Sequence, residues 1–127
     1  MKQKIETAEA PQAIGPYSQA IKVDKVIYFS GQIPLDPQSM TIISDDFVTQ
    51  ANQVLKNLQA VSQAAGGSLK DIVKLSIYLT DLSNFSSLNE IMMQFFSMPY
   101  PARSTIQVSA LPKAAKIEID AVMILTA

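Results

Sequence analysis

The sequence predicts an α+β fold, with two helices packed on one face of a mixed sheet, and three patterns lead to that class. Apolar residues recur at helical spacing in two segments, Phe47 to Ala65 and Phe85 to Phe96. Shorter segments alternate between apolar and polar, or are apolar on both parities, as strands do. The resulting order is β-β-β-α-β-α-β-β, in which both helices can cover one face of the sheet and leave the other free for another subunit. No linker, low-complexity tract or internal repeat interrupts the 127 residues, so a single domain spanning 1–127 is expected.

The chain opens on a short edge strand at 3–7. The loop AEAPQAIGPYSQA follows, where Pro11, Gly15 and Pro16 break any regular pattern. Within 20–33, VIYFSGQI is apolar on both parities, as in a strand covered on both faces, and Gly31 marks a bulge or a close approach of the backbone to something else. A turn at Asp36 and Pro37 leads to a short strand from Met40 to Ile43. The first helix carries Phe47, Ala51, Val54, Leu55, Leu58, Val61 and Ala65 on one stripe, with Ser44 or Asp45 as its cap and Gly66 as its stop. Alternation of Val73, Leu75, Ile77 and Leu79 makes 72–80 a strand. The second helix aligns Phe85, Leu88, Ile91, Met92, Phe95 and Phe96, enters through 81–84, and is stopped by Pro99 and Pro101. Strands at 104–109 and 116–126 close the chain. In the last one Ile117, Ile119, Ala121, Met123 and Leu125 face the helices, while the other side passes from Glu118 and Asp120 to Val122 and Ile124. A strand apolar on both sides belongs near the middle of a sheet.

Composition removes whole classes of function. Ten basic and eleven acidic residues give a net charge of −1, and the lysines are scattered, so the electrostatic footprint of nucleic-acid binding is missing. No apolar run of membrane-spanning length and no secretory signal pattern is present, and a cytoplasmic protein is expected. A hydrophobic content of 48% is high for this length and predicts a homo-oligomer that covers the surplus. The chain has no Cys and no His, hence no thiolate nucleophile, no Ser-His-Asp triad and no zinc site of the deaminase type. Chemistry, if any, must use carboxylates, hydroxyls, Arg, Lys, backbone groups and water, with no metal and no cofactor.

Within those limits Arg103 comes first. It is the only arginine beside nine lysines, and a guanidinium offers a planar fork of donors that matches a carboxylate and stays charged when partly buried. Spacing alone leaves a structural ion pair with one of the acids equally open. Glu118 lies on the less apolar face of the last strand, so it should point toward a cleft or subunit interface, although an exposed strand carboxylate reads the same way. A plain hairpin of the last two strands would set Gln107 opposite Glu118 and leave Arg103 about 13 Å away. Tyr17, the Ser30-Gly31 pair and Asn89 are weaker signals, each also consistent with a turn, a bulge or a solvent-facing side chain. Lys113 and Lys116 lack the apolar setting that Schiff-base chemistry requires.

The stretch PARSTIQVSALPKAAKIEIDA, from Pro101 to Ala121, resembles the signature of the RidA/YjgF family, in which an arginine strand precedes an Ile-Glu-Ile strand at fixed spacing. AIGPYSQA at 13–20, FSGQIPLDP at 29–37, AAGGSLKDIVK and DLSNFSSLN agree in order and spacing, so the resemblance covers nearly the whole chain. It implies a chorismate-mutase-like fold, with the last strand inserted between earlier ones, assembled as a homotrimer with clefts between subunits. The implied activity is hydrolysis of 2-imino acids or their 2-amino-2-enoic tautomers, released by PLP-dependent dehydratases, to 2-oxo acids and ammonia. Arg103 corresponds to the family's carboxylate-binding arginine and Glu118 to its water-positioning glutamate. Tyr17, Ser30, Gly31, Phe85, Asn89 and the backbone at Thr105 fall where relatives line the cleft. Thr105 stands where many relatives have Cys, Asn84 where Asp is common, and Asp120 where Glu is common. A protonated imine is already electrophilic, so orientation, a placed water and proton transfers suffice. Two other readings remain open at this stage: a non-catalytic sensor of small carboxylates that needs Arg103 and Tyr17 but not Glu118, and a chaperone-like or RNA-directed role.

Overall fold

The first helix forms where its apolar stripe predicts it, and its buried face organises the rest. A computed structural model describes residues 1–126, and in it α1 (Phe47–Ala64) buries Ala51, Val54, Leu55, Leu58 and Val61 completely. The cap is Asp46, one residue beyond the expected pair: its carboxylate accepts the Thr49 N–H at 3.0 Å, while Ser44 accepts the Asp46 N–H at 3.0 Å and steadies the cap. At the other end Gly66 takes a φ of 94°, the left-handed conformation that ends helices at low cost for glycine alone.

The strands are β1 (Lys2–Ile5), β2 (Ala20–Val23), β3 (Val26–Gln32), β4 (Ile72–Leu79), β5 (Ala102–Gln107) and β6 (Ile117–Ile124). They form one mixed sheet in the order β1-β2-β3-β6-β4-β5. β6 runs antiparallel to both β3 and β4, so the last strand does insert between earlier ones, as its two apolar faces require. β4 and β5 are parallel, and α2 (Phe85–Phe95) makes the crossover between them. Both helices pack on the face that carries Leu75, Ile77, Leu79, Ile117, Ile119 and Met123, all essentially inaccessible to water. The opposite face presents Tyr28, Val73, Ile106 and Ile124, all largely exposed, and is the unpartnered side that the composition anticipates.

Two of the expected strands are rearranged. The segment 20–33 is a hairpin rather than one strand, because Asp24 turns the chain at a φ of 54°, which aspartate tolerates better than most residues. The strand expected from Met40 to Ile43 does not join the sheet, and only Leu35 and Ile42 bridge. Asp36 accepts the N–H groups of Gln38 and Ser39, and Met40 turns through a φ of 58°, so the segment closes on itself. In α2, Leu88, Ile91 and Met92 enter the core as the spacing demands, whereas Phe85 stays 40% exposed.

Candidate functional site

Arg103 is placed by the β4–β5 ladder. Its register partner is Leu75, a core residue, so the Arg103 side chain leaves the sheet on the helix side and meets α2. There Nη2 donates to Asn89 Oδ1 at 2.7 Å, and the guanidinium carbon lies 5.1 Å from the centre of the Phe85 ring. Among the described residues the ion pairs are Lys4–Glu6 and Lys116–Asp45, so no carboxylate neutralises Arg103. Asparagine fixes the direction of the fork while leaving its charge unspent, and the aromatic face supports it from one side. The internal ion pair that spacing left open does not form. A cavity of about 390 Å³ lies beside it, lined by Asn89, Met92, Met93, Tyr100, Pro101 and Arg103.

Thr105 follows two residues on, and therefore on the same face. Its Oγ1 is buried without a hydrogen-bond partner. β5 is the edge of the sheet, and the Val108 N–H bonds to the Leu79 carbonyl. Alternation along a parallel ladder then aims the N–H and C=O groups of Arg103, Thr105 and Gln107 away from β4, off the open edge. An oriented guanidinium thus stands next to unpaired backbone donors.

Glu118 is built differently. Its register partner is Tyr78, so it occupies the face opposite the helices. The β3–β6 register slips by one residue between Phe29 and Gln32, which makes Ser30-Gly31 a bulge. The same glycine is also a close approach: a Cβ on Gly31 would fall within 2.9 Å of the Glu118 carboxyl carbon and collide with one of its oxygens. Both expectations for Gly31 therefore hold at once. Burial, and then the neighbouring Asp120 charge, push the Glu118 carboxyl above its ordinary range. A cavity of about 460 Å³ opens over it, with Tyr17, Ser30, Gly31, Pro112 and Lys113 on its walls. Tyr17 is half exposed, and the loop carrying it is stapled by buried Gln19, whose amide donates to the carbonyls of Thr7, Ala10 and Pro11 and accepts from Thr7 N–H at 2.7 Å. Ser30 donates its hydroxyl to the Ser18 carbonyl, tying the bulge to the same loop.

The eight residues anticipated from sequence thus divide into two half-sites. Tyr17, Ser30, Gly31 and Glu118 share one cavity, while Arg103, Asn89, Phe85 and Thr105 gather on the other side of the sheet. β4 lies between β5 and β6, and Arg103 and Glu118 are three register positions apart along it. That separates their backbones by about 10 Å across the sheet and about 10 Å along it, and places their side chains on opposite faces. A single chain does not bring the arginine and the glutamate together. Residues that sequence reasoning passed over are Gln19, Met93, Tyr100 and Pro112; none stood out from its neighbours, because nothing local reveals which loop residues will face a cavity. A third cavity of about 460 Å³, between Leu69–Ile72 and Met93–Pro101, contains none of the anticipated residues and no acidic group.

The profile of the family described as Endoribonuclease L-PSP matches residues 7–125. The human protein named 2-iminobutanoate/2-iminopropanoate deaminase is 48% identical over 120 residues, which cover 94% of this chain and 88% of that one. Among solved structures, RidA from an Antarctic Psychrobacter is 48% identical with a TM-score of 0.94, covering 97% of this chain and 99% of that one. TdcF from E. coli, solved with bound serine, is 42% identical with a TM-score of 0.92 over 98% of this chain and 99% of that one. A profile match over nearly the full length, together with a shared fold at such identities, places this chain in the RidA/YjgF family.

Proposed function

We propose that the protein hydrolyses 2-imino acids and their 2-amino-2-enoic tautomers to 2-oxo acids and ammonia, without a cofactor, in clefts between the subunits of a homotrimer. The observation that carries this reading is the pair of half-sites: an oriented, unneutralised Arg103 on one face of the sheet, and a half-buried Glu118 in a cavity on the other. Each lacks what the other supplies, and a second copy docked on the exposed apolar face unites them. Arg103 and the Thr105 N–H grip the substrate carboxylate. Water attacks C2 of the protonated imine and its proton passes to Glu118, which then gives it to the amino group of the carbinolamine; as the C–N bond breaks and ammonia leaves, the hydroxyl gives its own proton to the freed Glu118 carboxylate and becomes the 2-oxo group. Phe85 and Asn89 hold the guanidinium, Tyr17 closes over the carbon chain, and Ser30 and Gly31 shape the wall against Glu118. The name of the human relative, 2-iminobutanoate/2-iminopropanoate deaminase, and the serine bound in E. coli TdcF, an amino acid with the same carboxylate and C2 nitrogen, support the choice of substrate.

A threonine or serine dehydratase generates the imino acid in place, and release of the 2-oxo acid is followed with and without this protein. Wild type accelerates release, while Arg103→Ala and Glu118→Ala each lose on the order of 10²-fold or more. Full rate in Glu118→Ala with loss in Arg103→Ala removes the water-activating role. No acceleration by wild type turns the reading to a sensor of small carboxylates.

A further inference from the structure

Glu118 shares its face of β6 with a second acid. Asp120 is two residues on, so its side chain leaves the sheet on the same side at a backbone distance of about 7 Å. It is held there: the Tyr78 hydroxyl donates to Asp120 Oδ2 at 3.1 Å, and Tyr78 is itself the register partner of Glu118. The tyrosine therefore lies beside one carboxyl while bonding to the other. We propose that Asp120, held by Tyr78, is a positioning residue for the acid–base step at Glu118, keeping that carboxyl able to return the proton it takes. The inference rests on the deaminase reading and assigns a role to residues outside the anticipated site.

The surroundings isolate this pair. Tyr17 and Lys113 face Glu118 from the cavity wall, the β3 bulge contributes only Ser30 and Gly31, and Lys74 on β4 stands opposite Val122, four residues along β6. Tyr28 of β3 also lies opposite Val122, and Lys116 is engaged with Asp45. Asp120 is the acid nearest to Glu118 along this face. A like charge at that range opposes ionisation of Glu118, in the same direction as burial. The Tyr78 hydroxyl, donating to Asp120, keeps that carboxylate in place beside Glu118, so both members of the pair act on Glu118 in the same sense.

The test reads Glu118 directly. The carboxyl carbon is titrated by ¹³C NMR in wild type, Asp120→Asn and Tyr78→Phe, beside the pH profile of kcat/KM. Asn still accepts the tyrosine hydroxyl and Phe keeps the ring, so both variants retain the packing. Asp120→Asn moves the Glu118 midpoint and the acidic limb of the profile to lower pH, with the neutral-pH rate falling roughly three- to tenfold as the base weakens. Tyr78→Phe, which frees Asp120, moves the midpoint the same way by a smaller amount. Graded shifts toward lower pH are a signature that a merely structural pair does not produce. A midpoint that stays fixed or rises in Asp120→Asn overturns the proposal. Should Asp120→Asn fail to fold, an unmoved or raised midpoint in Tyr78→Phe overturns it alone. An active wild type with a fixed midpoint removes this inference only, whereas an inactive wild type removes the reading beneath it.

Discussion

Gly31 ties backbone geometry to chemistry more tightly than any other residue. The Glu118 carboxylate occupies the volume that a side chain at 31 would need, so Gly31→Ala must push the carboxylate away or reopen the bulge. A displacement of about 1 Å at such a group costs on the order of 10²-fold in rate, and kcat of Gly31→Ala should approach that of Glu118→Ala while the fold survives. Glu118 also predicts a pH-dependent stability. Its folded-state proton affinity lies above the unfolded one, so its contribution is complete below the ordinary carboxylate range and is lost as pH rises through the raised value. Glu118→Gln cannot ionise. It should melt above wild type at pH values beyond that window and equal to it below, as measured by thermal scans across pH. Arg103→Lys keeps the charge but loses the fork, the Asn89 geometry and the ring contact, and KM should rise about tenfold or more in the dehydratase-coupled assay.

At the scale of elements, α1 does more than bury an apolar stripe. Asn57, fully buried, donates to the carbonyls of Leu35 at 3.1 Å and Ile33 at 3.4 Å, and accepts from Gln53 at 2.9 Å. Gln50 donates to the Ser44 carbonyl and accepts the Lys116 N–H, each at 2.8 Å. These amides replace the sheet partners that segment 33–46 lacks, and they hold the loop whose Ile33 and Leu35 line the Glu118 cavity. Asn57→Ala leaves the buried Leu35 carbonyl and the Gln53 amide unpaired and should cost about 1–3 kcal/mol in a denaturant titration, with a weaker site as a secondary effect. The helical period was readable from sequence because it depends on apolar spacing alone. The polar residues on the buried side of α1 were not distinguished, since their partners are loop carbonyls that only the folded chain delivers. The same limit explains the misplaced strand at 40–43: its composition suits a strand, and local turns at Asp36 and Met40 decide otherwise.

For the whole molecule the decisive feature is that the sheet separates Arg103 from Glu118. If protomers complete one another, mixed particles must show it. Co-assembly of Arg103→Ala with Glu118→Ala chains in equal amounts should restore about a quarter of wild-type activity, because random mixing leaves that share of clefts with both residues intact. Light scattering should give a trimer, and a monomer with full activity would exclude the shared cleft. The exposed Tyr28, Val73, Ile106 and Ile124 should lose accessibility on assembly, measurable as slowed hydrogen exchange in β3, β4, β5 and β6.

Sequence by itself determined the class of fold, both helices, the central place of the last strand and the identities of the anticipated residues, because periodicity and composition act locally and a motif carries its own spacing. The tertiary structure decided which of those residues meet. Strand order and register are set by pairings between segments far apart in the chain, and they alone put β4 between the arginine and the glutamate, the bulge at Gly31 beneath the carboxylate, and Tyr78 within reach of Asp120.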